Sequence, residues 1–128
     1  MDELRVLIVD DSSVMRKMIE HALRKAGIQI QQVLGASDGL EALSVLKVKS
    51  VDLILCDINM PVMNGLEFLQ QVCSSGIAKG APIIMVSTES GESEVVKALA
   101  YGASGYIRKP FAVEQVREQI LPVLAAKT

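Results

Sequence analysis

The chain has no tryptophan, two phenylalanines, two tyrosines, one histidine and only two cysteines in 128 residues. Without aromatic bulk, the core must be filled by Val, Leu, Ile, Met and Ala, and half of the residues are hydrophobic, as in an ordinary globular domain. Cys56 and Cys73 form no CxxC pair and have no neighbouring histidine, which excludes the familiar zinc and redox motifs. Both read as small core residues, with no disulfide expected in a reducing compartment. Long apolar runs are also missing. The apolar segments come in short bursts such as Val6-Leu7-Ile8-Val9, far below the roughly 20 residues that span a bilayer. Nor is there an excess of one charge: 13 Lys and Arg against 15 Asp and Glu leave a net charge of −2, so neither nucleic acid nor an anionic membrane is an expected partner. The acidic start Met1-Asp2-Glu3-Leu4 lacks the basic and apolar regions of a signal peptide, and a cytoplasmic location is the default. There is no Pro/Ser/Gly-rich linker, repeat or low-complexity tract, so residues 1–128 are expected to form one domain.

What is present is an alternation. Val6 to Val9, Leu53 to Cys56, Ile83 to Val86 and, more weakly, Gly105 to Arg108 read as strands, with a fainter one over Ile30 to Leu34. Continuous apolar runs suit a parallel sheet covered on both faces. Each run is followed by a helical pattern. The first helix carries Val14, Met15, Met18, Ile19, Ala22 and Leu23 on one stripe and Arg16, Lys17, Glu20, Arg24 and Lys25 on its wet face. Ser12 or Ser13 caps it and Gly27 stops it. Ser37 or Asp38 caps a second helix with Leu40, Leu43 and Leu46 inward, and Asn64-Gly65 leads into a third with Leu66, Leu69 and Val72 inward. The fourth, Glu92 to Ala100, buries Val95, Val96 and Leu99; the fifth starts at Val113 with Val116 and Ile120 inward. Pro122 is expected to kink or end that last helix.

Five β-α units of this kind predict an α/β fold with a five-stranded parallel sheet, strand order 2-1-3-4-5 and helices on both faces, in which ligands bind at the carboxyl ends of the strands where the order reverses. The first and third strands meet at that reversal, and both end in acid, Asp10-Asp11 and Asp57. The fourth ends in Ser87-Thr88 and the fifth in Lys109-Pro110. Three carboxylates gathered at one edge repel one another and favour a hard divalent cation with oxygen ligands, Mg2+ being the natural candidate. No Walker A, GxSxG or HExxH motif is present, and His21 lies on the first helix, away from this edge. The nucleophile is then a carboxylate. An Asp can attack phosphorus to form an acyl phosphate, which needs charge neutralisation more than proton removal. Asp57 is the best acceptor, since it ends the central strand between the acidic pair and Ser87 and Lys109. Ser87 is a candidate sensor of the added oxygens.

These residues carry a resemblance. Val6-Leu7-Ile8-Val9-Asp10-Asp11-Ser12, Asp57-Ile58-Asn59-Met60-Pro61-Val62-Met63-Asn64-Gly65, Met85-Val86-Ser87 and Gly105-Tyr106-Ile107-Arg108-Lys109-Pro110-Phe111 together resemble bacterial two-component response-regulator receiver domains over nearly the whole chain. The resemblance implies a flavodoxin-like (βα)5 fold. It also implies Mg2+ held by Asp10, Asp11, Asp57 and the backbone carbonyl of Asn59, and a phosphoryl group taken by Asp57 from a sensor histidine kinase. Ser87 and Lys109 read that group, Tyr106 is the aromatic switch residue, and the Lys109-Pro110 bond matches one that is usually cis. Asn59, Thr88 and Glu89 fall at positions that tune phosphoryl lifetime. Thr88 stands where many relatives carry Ala or Gly. The output surface is expected on the fourth helix, fifth strand and fifth helix, facing a protein target such as a flagellar motor switch in a chemotaxis pathway, with a phosphatase as a possible further partner. The module itself is expected to be a signalling phosphoacceptor and not an enzyme acting on a separate substrate.

Taken one by one, the same residues have plainer readings. Asp10-Asp11 alone would cap a helix, Lys109 alone would be a solvated lysine, Ser87 a turn residue and Tyr106 a half-buried strand aromatic. His21 reads as a surface residue, while Met60 and Met63 read as packing the loop. Two alternatives stay open: a phosphorelay intermediate passing its phosphoryl group to another histidine protein, or a receiver domain cut from a larger regulator. A flavin-binding or phosphatase reading of the same fold leaves Lys109 with Ser87 unexplained.

Overall fold

Strands β1 (Leu4–Val9), β2 (Ile30–Ala36), β3 (Leu53–Cys56), β4 (Ile83–Ser87) and β5 (Gly105–Arg108) alternate with helices α1 (Ser13–Lys25), α2 (Gly39–Val48), α3 (Gly65–Ser75), α4 (Glu92–Ala100) and α5 (Val113–Ala126). The structure is a computed structural model, which describes residues 3–88 and 91–126. The strands are parallel, in the order β2-β1-β3-β4-β5, the predicted arrangement. Every residue of β3 and β4 is buried, whereas the edge strands β2 and β5 mix buried and exposed positions. That difference explains why the outer two runs are fainter in the sequence: an edge strand is not enclosed on all sides and tolerates polar residues.

Strand alternation sends side chains to two cores. Leu7, Val9, Ile54, Cys56 and Met85 pack with Ala42 and Leu46 of α2, Phe68, Leu69 and Val72 of α3 and Ala98 of α4. On the other face Val6, Ile8, Leu55, Ile84, Val86 and Ile107 pack with Ile19, Ala22 and Leu23 of α1 and Val116, Ile120 and Leu124 of α5. Each fully buried aliphatic side chain contributes about 2 kcal/mol of transfer free energy. The helix starts are fixed by side chains: Ser12 accepts from the Met15 N–H, Asp38 from that of Glu41, and Asn64 with Glu67 forms a reciprocal capping box. No helix among the described residues is long and apolar enough to cross a membrane.

Several expected core positions are surface positions. Val14 and Met18 are 69% and 52% exposed; they line a shallow groove between α1 and the start of α5, because the apolar stripe of α1 is wider than the sheet face covering it. In α4 the small Ala98 is buried while Val96 and Leu99 are exposed, so the helix is turned from the expected orientation to bring Ala98 against the core. Leu40 is also exposed, with Gly39, Ala42 and Leu46 as the buried residues of α2. Cys73 is exposed on α3, next to Gly102, so of the two cysteines only Cys56 is a core residue. α5 does not end at Pro122 but continues to Ala126, with Leu124 buried beyond the proline. Packing of that turn outweighs the one lost backbone bond.

Candidate functional site

The ladder of the sheet runs one residue past several strands. The Asp10 N–H donates to the Ala36 carbonyl at 3.0 Å, the Asp57 N–H to the Val9 carbonyl at 2.9 Å and the Lys109 N–H to the Ser87 carbonyl at 3.0 Å. Neighbouring strand ends are thereby tied together, and the polar residues that follow the apolar runs are carried to one edge. Asp10, Asp57 and Ser87 are buried there, and Asp11 is exposed. Buried polar groups are costly unless partnered. Among the described residues no buried side-chain nitrogen or oxygen lacks a hydrogen-bond partner.

Carboxylate oxygens of Asp10, Asp11 and Asp57 all lie within 4.8 Å of one another. The Lys109 Nζ bridges two of them, at 2.7 Å from Asp10 Oδ2 and 3.1 Å from Asp57 Oδ2. Burial works against the charged ammonium, but the hydrogen bond to Asp10 and the attraction of both carboxylates outweigh it and hold the Lys109 pKa above its ordinary value. The second oxygen of each acid is bound to main chain: Asp10 Oδ1 accepts from the Ser12 N–H at 2.9 Å, and Asp57 Oδ1 from the Ile58 N–H at 2.7 Å and, more weakly, from the Asn59 N–H at 3.4 Å. Both carboxylates are held from two sides. The Lys109-Pro110 bond is cis.

Behind Asp57 the loop to α3 is packed without space. A Cβ on Gly65 would lie 1.9 Å from the Asp57 carbonyl oxygen, and the Gly65 N–H donates to the Ile58 carbonyl at 2.8 Å. Only glycine permits that approach. On the other side the Gly39 N–H donates to the Met63 carbonyl at 3.0 Å, which ties the loop to the start of α2. Between these anchors Val62 has φ +68° and is exposed, an unusual conformation for a β-branched residue. Met60 and Met63 pack against the core below the loop, as expected.

The remaining candidates lie around this centre. Asn59 and Thr88 are exposed, Tyr106 is half-buried against the core on the side of α2, α3 and α4, and Glu89 lies outside the described residues. His21 is exposed on α1. Cys56 precedes Asp57 but belongs to the core; burial, then the nearby charges of Asp57 and Asp10, push its thiol pKa well up and keep it neutral. Sequence reasoning missed Arg16, expected on the wet face of α1, whose guanidinium turns back to donate to the Asp10 carbonyl. It also missed the main-chain donors of Ser12 and Ile58, which no side-chain pattern reveals.

Three carboxylates offering only oxygen, two of them buried, suit a hard divalent cation such as Mg2+. The Lys109 ammonium already bridges Asp10 and Asp57, so the cluster accommodates positive charge. Asp10, Asp11 and Asp57 are the residues that fit as its side-chain ligands.

Comparison with known proteins points one way. The family model described as the response regulator receiver domain matches residues 6–121. A chemotaxis protein CheY homolog of Campylobacter jejuni is 42% identical over 122 residues, covering 94% of this chain and 92% of that protein. Chemotaxis protein CheY1 of Helicobacter pylori is 40% identical, with 94% and 97% covered. Among solved structures, the chemotaxis response regulator CheY4 of Vibrio cholerae superposes with a TM-score of 0.81 at 38% identity, covering 95% of this chain and 99% of that one.

Proposed function

This chain belongs to the response regulator receiver domains of two-component systems, and from that premise we propose that it is a chemotaxis-type switch that takes a phosphoryl group onto Asp57. The observation that carries the reading is the Lys109 ammonium set between Asp10 and Asp57, with the Asp11 carboxylate in the same cluster. Asp57 Oδ1 is held by the Ile58 N–H, and Oδ2, which faces the Lys109 ammonium, is the attacking oxygen. The donor is a phosphohistidine of a sensor kinase. The Asp57 O–P bond forms as the P–N bond breaks, and the bonding pair stays on the imidazole nitrogen. Lys109, 3.1 Å from Oδ2, balances the charge that gathers on the phosphoryl oxygens. Asp10, Asp11, Asp57 and the Asn59 carbonyl would hold Mg2+, which would supply further charge neutralisation and orientation.

Ser87 and Lys109 then read the phosphoryl oxygens as hydrogen-bond donors. Tyr106, on the adjoining strand and packed against the core, carries the change to the surface of α4, β5 and α5, where a protein target such as a flagellar motor switch docks. Asn59, Thr88 and Glu89 set how long the phosphoryl group lasts, alone or with a phosphatase. The protein acts in the cytoplasm, as a phosphoacceptor and not as an enzyme with a separate substrate.

Two measurements test this. Acetyl phosphate with Mg2+ should place an alkali-labile phosphate on the wild-type chain and none on Asp57→Asn; equal labelling of the variant overturns the assignment. Beryllofluoride-activated protein should capture a purified motor-switch protein more tightly than the untreated form. Binding only to histidine phosphotransfer proteins would instead favour a phosphorelay intermediate.

A further inference from the structure

Arg16 stands where helix electrostatics disfavours it. α1 has no acidic residue in its first turn, and an arginine at that end opposes the helix dipole, which favours negative side chains there. Its guanidinium leaves the helix surface, and Nη1 donates to the main-chain carbonyl of Asp10. Next to it on β2 is Gly35. This glycine sits in regular parallel register opposite Ile8, so no turn calls for it, and a glycine inside a strand marks a place where another group comes close. Here that group is Arg16: a Cβ at position 35 would lie 3.2 Å from Arg16 Nε and 3.5 Å from its Cδ.

The carbonyl that Arg16 holds belongs to the peptide unit joining Asp10 to Asp11. Every polar atom of Asp10 is then engaged: its N–H by Ala36, its carbonyl by Arg16, Oδ1 by the Ser12 N–H and Oδ2 by Lys109. We propose that Arg16, seated on Gly35, is a positioning residue for the divalent cation, fixing the peptide between Asp10 and Asp11 and with it the spacing of their carboxylates. This rests on the reading of Asp10, Asp11 and Asp57 as a cation site. The bond runs to main chain and not to a carboxylate, so its effect is on geometry more than on charge. Mg2+ demands near-octahedral ligands, and a rotated peptide displaces one of them.

Mg2+ titration of the full chain by calorimetry tests the proposal, with Arg16→Gln, Arg16→Lys, Gly35→Ala and the Arg16→Gln/Gly35→Ala double variant. Arg16→Gln should weaken binding about tenfold, as loss of groups that orient metal ligands does. Arg16→Lys should not restore it, because a shorter point charge replaces the planar fork. Gly35→Ala should weaken binding alone and add nothing to Arg16→Gln, the non-additivity of two residues in one contact. In metal-free protein, hydrogen exchange at the Ser12 amide should speed up in Arg16→Gln while that of Met85 in β4 is unchanged, which shows that the fold is intact. If the wild type itself binds no Mg2+, the cation-site reading fails and the proposal with it. Wild-type binding together with unaltered binding by Arg16→Gln, full rescue by Arg16→Lys or an additive double variant overturns the positioning role alone.

Discussion

The two edges of the sheet are built by different rules. At the amino edge, where helices turn back into strands, the chain passes through left-handed Gly27, Gly76, Gly80 and Gly102. Its turns there close with local backbone bonds, such as Gly27 to Arg24 and Ala103 to Ala98, and neighbouring strand starts are joined by main chain, as Asp52 is to Arg5. At the carboxyl edge no described glycine is left-handed, and Gly39 and Gly65 are present because Met63 and the Asp57 backbone, respectively, leave no room for a Cβ. There the strand ends are joined by charged side chains as well, as Lys109 is to Asp10 and Asp57. A parallel sheet provides both edges equally, yet among the described residues only the carboxyl edge shows ion pairs between strand ends. The convergence of polar residues is therefore a property of this sequence and not a by-product of the fold.

Substitutions at the two edges should separate packing from turning. Gly65→Ala, which drives a methyl group into the Asp57 carbonyl, should cost about 3 kcal/mol in urea unfolding, at the upper end for overpacking, and should weaken Mg2+ binding as well. Lys109→Met leaves Asp10 and Asp57 without their shared cation and should cost about 2 kcal/mol, less than orphaning a wholly unpartnered buried charge because the Ser12 and Ile58 N–H groups still hold one oxygen of each. Since the folded-state pKa of Lys109 is raised, its contribution is complete below the unfolded value of about 10.4 and is lost as pH rises through the higher folded value. The stability gap between wild type and Lys109→Met should therefore be level near neutral pH and close only in strong alkali. A gap that closed on mild alkalinisation would contradict the raised pKa.

At the amino edge Gly76→Ala, with φ +70° and open space around the new methyl, should cost about 1 kcal/mol of backbone strain and leave Mg2+ binding untouched. Altered Mg2+ binding would show that the edges are coupled. The smallest effect is a contrast in reactivity: a thiol reagent should modify exposed Cys73 in the native protein and reach buried Cys56 only on unfolding. Two thiols modified in the folded state would contradict the burial of Cys56.

Much of this was legible in the sequence, for identifiable reasons. The runs ending at Val9, Cys56, Ser87 and Arg108 are bounded by a change from apolar to polar, and a parallel sheet lines up such boundaries at one edge. Asp10, Asp11, Asp57, Ser87 and Lys109 follow directly from that register. Helix rotation was less legible: periodicity gives the width of an apolar stripe but not how much of it the sheet covers, hence the exposed Val14, Met18, Val96 and Leu99. Arg16 was hidden by its length, since a flexible arginine on a polar face signals nothing until its reach toward the Asp10 carbonyl is seen. A switch role for Tyr106 rests on the family resemblance alone; the fold places its side chain half-buried against the core, on the strand beside β4.

On the proposed function, four strand ends make one phosphoacceptor whose reactive oxygen is on Asp57. Borohydride reduction after acetyl phosphate treatment converts an aspartyl phosphate to homoserine, which tandem mass spectrometry locates by residue. Homoserine is expected at position 57 alone, dependent on Mg2+ and absent from Asp57→Asn. Homoserine at position 10 or 11 in the wild type, or none at any donor concentration, would contradict it.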